Sequence, residues 1–268
     1  MKVVLFCGGE GMRLRGYSED VPKPMVTIGS RPVLWHVMKY YAYFGHKDFI
    51  LCLGYKANAI KNYFLEYEES VSNDFVFSQG GRKLEFMQRD IDEWNITFVD
   101  TGLRATIADR LRLVEPHLHG DEMFLANYSD GLTNHYLPGM VQEFSRRNCY
   151  ASFLAVQPRS SSLDTVSIDE DGHVRAIRSM VDADIWINGG YFILRKEVFR
   201  YLHPGEELIY EPFQRLMAEG KLWSQRCDGF WQCMDTFKDK QVLEELEASG
   251  QAPWRLWKND QHATGSVA

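Results

Sequence analysis

Apolar runs rich in β-branched and aromatic residues alternate along this chain with segments whose apolar positions recur every three or four residues. That is the pattern of a mostly parallel sheet covered by helices on both faces. The first run, residues 2–7, reads as a buried strand that ends in Cys7-Gly8-Gly9. Ser30 then offers a helix cap and Pro32 a first-turn residue, after which Leu34, Val37, Met38 and Tyr41 fall on one helical face. A strand over 48–53, a helix near 57–64 and strands over 96–99 and 123–126 continue the alternation. Between them, residues 75–86 alternate apolar and polar positions around Gly80-Gly81, a hairpin that interrupts the wound sheet and reads either as a lid or as an oligomer arm.

From Ala151 the pattern changes. A strand over 151–156 is followed by the polar Ser160-Ser161-Ser162, then by residues 165–168 turning at Asp171-Gly172 into 174–177, the form of an antiparallel insertion. Helices at about 210–218 and 238–248 flank a strand over 222–226, and the polar tail 259–268 reads as disordered. With no internal repeat and no interdomain linker, residues 1–258 read as one domain. It is α/β, a Rossmann-like, mostly parallel wound sheet with a hairpin insertion at about 70–92 and an antiparallel part at about 157–195.

Composition narrows the function. The 268 residues are 45% hydrophobic and 25% charged, ordinary for a globular protein, and the net charge of −7 argues against a nucleic-acid partner, which needs a basic surface. No run approaches the roughly 18 apolar residues of a membrane helix, and no signal-peptide core precedes the first strand, so a cytoplasmic protein without a membrane partner is expected. The five cysteines, at 7, 52, 149, 227 and 233, form no Cys-x-x-Cys pair and read as reduced core or site-wall residues.

The glycine cluster Gly8-Gly9-Glu10-Gly11-Met12-Arg13-Leu14 directly follows a strand, where glycines let a backbone approach a phosphate and present several N–H groups to it. The same cluster is also an ordinary turn. A dinucleotide fingerprint fits poorly, because Leu14 stands where the third glycine belongs and no ribose-binding acid ends the second strand. A Walker A loop fails for want of Gly-Lys-Ser or Gly-Lys-Thr. Arg13, Arg15 and the stiff Pro22-Lys23-Pro24-Met25 then place cations close to the glycines.

The run Gly8-Gly9-x-Gly11-x-Arg13-Leu14 with Pro22-Lys23-Pro24-Met25 resembles the signature of the sugar-1-phosphate nucleotidyltransferases, which have a glycosyltransferase-A-like fold. The resemblance narrows to the glucose-1-phosphate cytidylyltransferases through Leu34-Trp35-His36, Glu93-Trp94-Asn95, Val99-Asp100-Thr101-Gly102, Tyr128-Ser129-Asp130-Gly131, Ile187-Asn188-Gly189-Gly190, Gly229-Phe230-Trp231-Gln232, Met234-Asp235-Thr236 and Ala252-Pro253-Trp254. It implies that a sugar-phosphate oxygen attacks the α-phosphorus of a nucleoside triphosphate, CTP being favoured, and that pyrophosphate leaves without a covalent enzyme intermediate. It implies that Arg13 holds the triphosphate tail, that Lys23 bridges the α-phosphate and the incoming phosphate, and that Asp130 and Asp235 share one Mg²⁺. Gly8, Gly9, Gly11, Thr101 and Arg110 are the implied nucleotide contacts, and Asn188, Gly189 and Glu211 the implied sugar contacts. Relatives of this kind commonly form homo-oligomers.

Each residue also has a plainer reading. A lone aspartate is more often a turn or cap residue, Asn188-Gly189-Gly190 is a turn, Glu211 is a first-turn acid, and Arg110 and Arg112 lie on a solvated helix face. Departures fall mainly on the acceptor side. Met180 stands where the resemblance expects a lysine for the sugar-bound phosphate, and Arg178 lies roughly 6 to 7 Å away along a strand. The family's Phe-Gly pair is lost near Leu163-Asp164, Met12 replaces a threonine, and Ser129 replaces a glycine. Three readings follow: a glucose-1-phosphate cytidylyltransferase, a nucleotidyltransferase for another phosphorylated sugar, cyclitol or polyol, and a nucleotide-binding regulator without activity.

Overall fold

A computed structural model describes residues 1–9, 21–158, 164–180 and 184–258. Gly11, Arg13, Arg15 and the tail 259–268 lie outside the described residues. In chain order, β1 (Val3–Phe6) is followed by the short pair β2 (Thr27–Ile28) and β3 (Arg31–Pro32), helix α1 (Val33–Tyr43), β4 (Asp48–Leu53) and α2 (Ala57–Leu65). The hairpin β5 (Phe75–Ser78) and β6 (Lys83–Phe86) precedes β7 (Asn95–Asp100), α3 (Ile107–Val114), β8 (Met123–Asn127), β9 (Gly131–Thr133) and α4 (Leu137–Ser145). The rest comprises β10 (Ala151–Val156), β11 (Asp164–Ile168), β12 (Val174–Ser179), β13 (Ile187–Arg195), α5 (Glu211–Ala218), β14 (Leu222–Arg226), β15 (Trp231–Cys233) and α6 (Phe237–Ala248).

The central sheet runs β14-β10-β13-β8-β1-β4-β7. All neighbours are parallel except β13, which runs against both β8 and β10. Successive residues of β1 point to opposite faces: Val3 and Leu5 pack with Val33, Val37, Met38 and Tyr41 of α1, whereas Val4 and Phe6 pack with Ala108, Leu111 and Val114 of α3 and Phe213 of α5. These two apolar layers explain why β1 is buried at every position and reads as an unbroken apolar run. No helix of the described residues is long and apolar enough to cross a membrane.

Ser30 does not cap α1. The Gly29-Ser30 pair turns β2 into β3, with Gly29 at φ 61°, and the cap position falls to Pro32, which has no side-chain cap bond. The hairpin β5–β6 forms as the alternation predicts, with Phe75 opposite Phe86. It is rooted on Asp90, which accepts from Lys39 (2.7 Å), Ser72 (2.5 Å), Asn73 (3.0 Å) and Tyr67 (3.2 Å). Burial alone would push the Asp90 carboxyl up, but the bonds from Lys39 and Ser72 hold it below the usual carboxylate range. β11 and β12 form another two-stranded ribbon.

Candidate active site

Three loops meet at the carboxyl ends of the parallel strands β1, β4 and β7, where open α/β sheets bind ligands. A Cβ on Gly54 would sit 2.8 Å from the carbonyl oxygens of both Gly8 and Gly102, so the loops abut backbone to backbone. A Cβ on Gly8 would lie 2.1 Å from Nη1 of Arg110. That guanidinium is buried, 3% exposed, and Nη1 donates to the Leu53 carbonyl (3.2 Å) and to Thr101 Oγ1 (2.5 Å). Thr101 Oγ1 in turn donates to the same carbonyl (2.7 Å). The structure therefore brings Gly8, Thr101 and Arg110 into one cluster, and Arg110 is not on a solvated face.

Helix α3 explains this orientation. Thr106 and Asp109 form a reciprocal capping box at its start, and Ala108, Leu111 and Val114 turn its apolar side inward, carrying Arg110 with them. Arg112 points outward and pairs with Asp109 at 3.7 Å. Burial lowers the Arg110 pKa from its ordinary value, opposed by the nearby Cys52, Cys7, Glu207 and Asp100. Gly9 is exposed, and a Cβ there would meet nothing among the described residues.

The second cluster joins three segments that are distant in sequence. Lys23 opens a 3-10 turn, Lys23–Met25, between Pro22 and the buried Pro24. Asp130 follows β8, and Asp235 precedes Thr236, the cap of α6. Pairing of β9 with β15 sets Cys233 opposite Gly131, and the Met234 amide donates to the Asp130 carbonyl (2.9 Å), which brings the two aspartates to one edge. Lys23 Nζ donates to Asp130 Oδ2 (2.6 Å) and to Asp235 Oδ1. Burial alone would lower the Lys23 ammonium, but the two carboxylates outweigh it and hold it above the ordinary lysine range. Burial pushes the Asp130 carboxyl up against the pull of Lys23, and Asp235 adds to the rise.

Ser129 shapes this loop. It occupies the left-handed region at φ 63°, fully buried, with its amide bonded to Asn127 Oδ1 (2.6 Å) and its hydroxyl within reach of the Phe6 carbonyl (2.8 Å) at the end of β1. The departure from glycine thus falls on a backbone position that favours glycine, and the hydroxyl bond to β1 offsets part of the strain.

Two carboxylate oxygens aimed at one cation form a hard donor set. Mg²⁺ typically takes one or two carboxylates and completes its shell with water and substrate phosphates. The pair fits that requirement, and no group of three metal-ligating residues occurs among the described residues. The Cys233 thiol lies 3.9 Å from Asp235 Oδ2, and burial and that carboxylate push its pKa up to about 12. A thiol held protonated in this way is no nucleophile.

The third cluster lies on β13. Asn188-Gly189-Gly190 is not a turn but the start of this nine-residue strand, with Asn188 opposite Ala155 across an irregularity in β10. Asn188 Oδ1 accepts from the Gly190 amide (2.9 Å) and its Nδ2 donates to the Tyr128 hydroxyl (3.3 Å). A Cβ on Gly189 would strike Val156 and the Leu154 carbonyl, and the Gly189 carbonyl accepts from the Trp231 indole (2.9 Å). Glu211 is exposed on the first turn of α5, with no hydrogen bond or ion pair to Asn188 among the described residues.

Tyr128, Trp231 and the Arg226–Trp186 pair carry no role in the sequence reading. Tyr128 and Trp231 stood within quoted motifs, whereas Arg226 and Trp186 did not. Arg226 lies opposite Ala155, in the same cross-strand row as Asn188, and its guanidinium stacks 4.8 Å over Trp186. The Trp186 indole and Gln157 both donate to Asp184, at 2.8 and 3.4 Å. Met180 follows β12 directly, and Arg178 is exposed on that strand.

The family model described as nucleotidyl transferase matches residues 2–241. The chain is 37% identical over 262 residues to the glucose-1-phosphate cytidylyltransferase of Salmonella typhi, covering 96% of this chain and 100% of that protein. Among solved structures, UDP-glucose pyrophosphorylase complexed with UDP-glucose superposes with a TM-score of 0.68 at 15% identity, covering 93% of this chain and 98% of that one. HddC from Yersinia pseudotuberculosis superposes with a TM-score of 0.66 at 20% identity, covering 91% and 98%. At these identities the two structures are similar in fold.

Proposed function

The chain belongs to the nucleotidyl transferase family, whose members couple a nucleoside triphosphate to a sugar phosphate, and from that premise we propose that it transfers the cytidylyl group of CTP to glucose 1-phosphate with release of pyrophosphate. The observation that carries this reading is Lys23 held between Asp130 and Asp235 at the edge of a backbone-walled floor. Among the described residues such a site has charge and hydrogen-bond donors but no activated nucleophile, which suits direct transfer between two phosphates. An oxygen of the acceptor phosphate forms the new bond to the α-phosphorus as the bond to the β-phosphate oxygen breaks.

Lys23, protonated through the physiological range, is the group to neutralise charge on the α-phosphate and the incoming phosphate. Arg13, by its place in the motif, holds the departing pyrophosphate. Mg²⁺ at Asp130 and Asp235, when bound, supplies charge to the phosphate oxygens. The Gly8 backbone, Thr101 and Arg110 line the nucleotide side, and Asn188 and Gly189, backed by Tyr128 and Trp231, line the sugar side. The cytoplasm, where triphosphates are abundant, is the proposed compartment. A homo-oligomer is supported by the hairpin, whose Phe77 and Met87 are 65% and 69% exposed. Sedimentation of wild type and Phe77→Asp tests that assembly, and a monomeric wild type refutes it.

Pyrophosphate release over the four triphosphates, crossed with a panel of sugar, cyclitol and polyol phosphates, tests the reaction. CTP with glucose 1-phosphate is expected to give the highest kcat/KM, and no turnover with any pair overturns the reading. A second reading, a different phosphorylated acceptor, is favoured by Met180 in place of a lysine, while Arg226, held over Trp186, offers a fixed cation in the same cross-strand row as Asn188. Met180→Lys raises glucose-1-phosphate use under that second reading and leaves it unchanged under the first.

A further inference from the structure

The same ammonium that serves the phosphates occupies the space between the two carboxylates. Lys23 Nζ bonds both aspartates, its side chain is 14% exposed, and its backbone is fixed by Pro22, Pro24 and the bond from the Val26 amide to the Lys23 carbonyl (3.1 Å). We propose that Lys23 is the resident counter-ion of Asp130 and Asp235, that it keeps free divalent metal off them, and that it yields them only to a metal already carried by the triphosphate.

Two effects act together. The ammonium engages one oxygen of each carboxylate, and its charge repels a dication entering the same space. A metal arriving bare must displace Lys23 from the two carboxylates it pairs with among the described residues, and a buried charge that loses its partners is costly. A metal arriving on a triphosphate brings phosphate oxygens that take the ammonium over, so the cost disappears. The pair of carboxylates thereby stays gathered on a cation and preorganised until the nucleotide arrives, and metal and nucleotide bind as one ligand. The proposal rests on the reading of Asp130 and Asp235 as the metal carboxylates.

The test is metal binding. Mn²⁺ titration followed by electron paramagnetic resonance, with and without a non-hydrolysable CTP analogue, is run on wild type, Lys23→Met and Lys23→Met/Asp235→Asn. Without nucleotide, Lys23→Met is expected to bind Mn²⁺ at least tenfold more tightly than wild type, and the added Asp235→Asn to abolish that gain. Melting of Lys23→Met should rise with millimolar Mg²⁺ while that of wild type stays flat. Equal or weaker Mn²⁺ binding by a folded Lys23→Met overturns the proposal, and Lys23→Gln replaces it if Lys23→Met does not fold. Asp235→Asn alone, tested with the analogue, separates the two claims: unchanged Mn²⁺ affinity there overturns the metal reading itself, whereas a loss there with no gain in Lys23→Met overturns only the counter-ion role.

Discussion

Gly8→Ala is the sharpest perturbation the proposed nucleotide floor offers. The added Cβ lands 2.1 Å from Nη1, 2.5 Å from Cζ and 2.7 Å from Nη2 of Arg110, where ordinary contact begins at 3.4 Å. The guanidinium has to retreat by more than an ångström, and in doing so it leaves the Leu53 carbonyl and the Thr101 hydroxyl. Both bonds come from a charged donor in a buried site, each worth about 1.5 to 3 kcal/mol, so a loss of roughly 3 kcal/mol is expected once partial relaxation is allowed. Denaturant unfolding of wild type, Gly8→Ala, Arg110→Met and the double variant measures it. If displacement of Arg110 is the cause, Gly8→Ala costs little in the Arg110→Met background and the coupling exceeds about 2 kcal/mol. A coupling below about 0.5 kcal/mol refutes the reasoning, because the cost would then lie in the backbone of the loop.

Asp235→Asn and Lys23→Ala, assayed with saturating Mg²⁺, should each lower kcat/KM by about a hundredfold or more with the fold retained by circular dichroism, and wild-type rates in both would remove these residues from the site. Ser129→Ala should be less stable than Ser129→Gly by about 1 kcal/mol in urea melts, the reverse of the helical ranking, because φ 63° penalises any Cβ. His36 is buried neutral, with Nε2 on the Ile28 carbonyl (3.0 Å) and Nδ1 accepting from the Trp254 indole (3.3 Å). Burial lowers its pKa from 6.5 to about 4, so its contribution is complete above pH 6.5 and is lost as pH falls toward 4, by roughly 3 kcal/mol in all. Stability measured across that window should fall in wild type and fall less in His36→Asn, and identical slopes would assign the loss to other groups.

The interior parallel strands β1 and β4 were legible because they are buried on both faces and need apolar residues at nearly every step. The two ribbons were legible from alternation and turn residues. What failed involved residues whose local chemistry is overruled by contacts far along the chain. Gly189 and Gly190 read as a turn, yet glycine is needed there because Val156, Leu154 and Tyr128 crowd a strand. The plainer reading of Arg110 as a solvated helix residue fails because its guanidinium fills the gap over Gly8, a gap created by a different strand. Ser30 has the chemistry of a cap but is consumed by the turn between β2 and β3. The meeting of Asp130 with Asp235 depends on the pairing of β9 with β15, which no local pattern encodes; only the motif resemblance pointed to it.

The placement of the departures has a structural cause. On the proposed donor side the floor is made of backbone against backbone and of a buried guanidinium, so almost any substitution at Gly8, Gly54 or Arg110 is answered by a clash or an orphaned donor. On the proposed acceptor side, Met180 ends a two-stranded ribbon that, among the described residues, pairs with no strand of the central sheet and leaves Val166, Ile168, Val174 and Ile177 exposed. A residue changed there disturbs few packed neighbours and leaves both core layers intact, so exchange of a lysine for a methionine costs the fold little. Selection for a new acceptor can therefore act on the ribbon without destabilising the triphosphate side. It follows that stability should barely respond to Met180→Lys even where acceptor preference does, and that the two halves of the site are free to diverge at different rates.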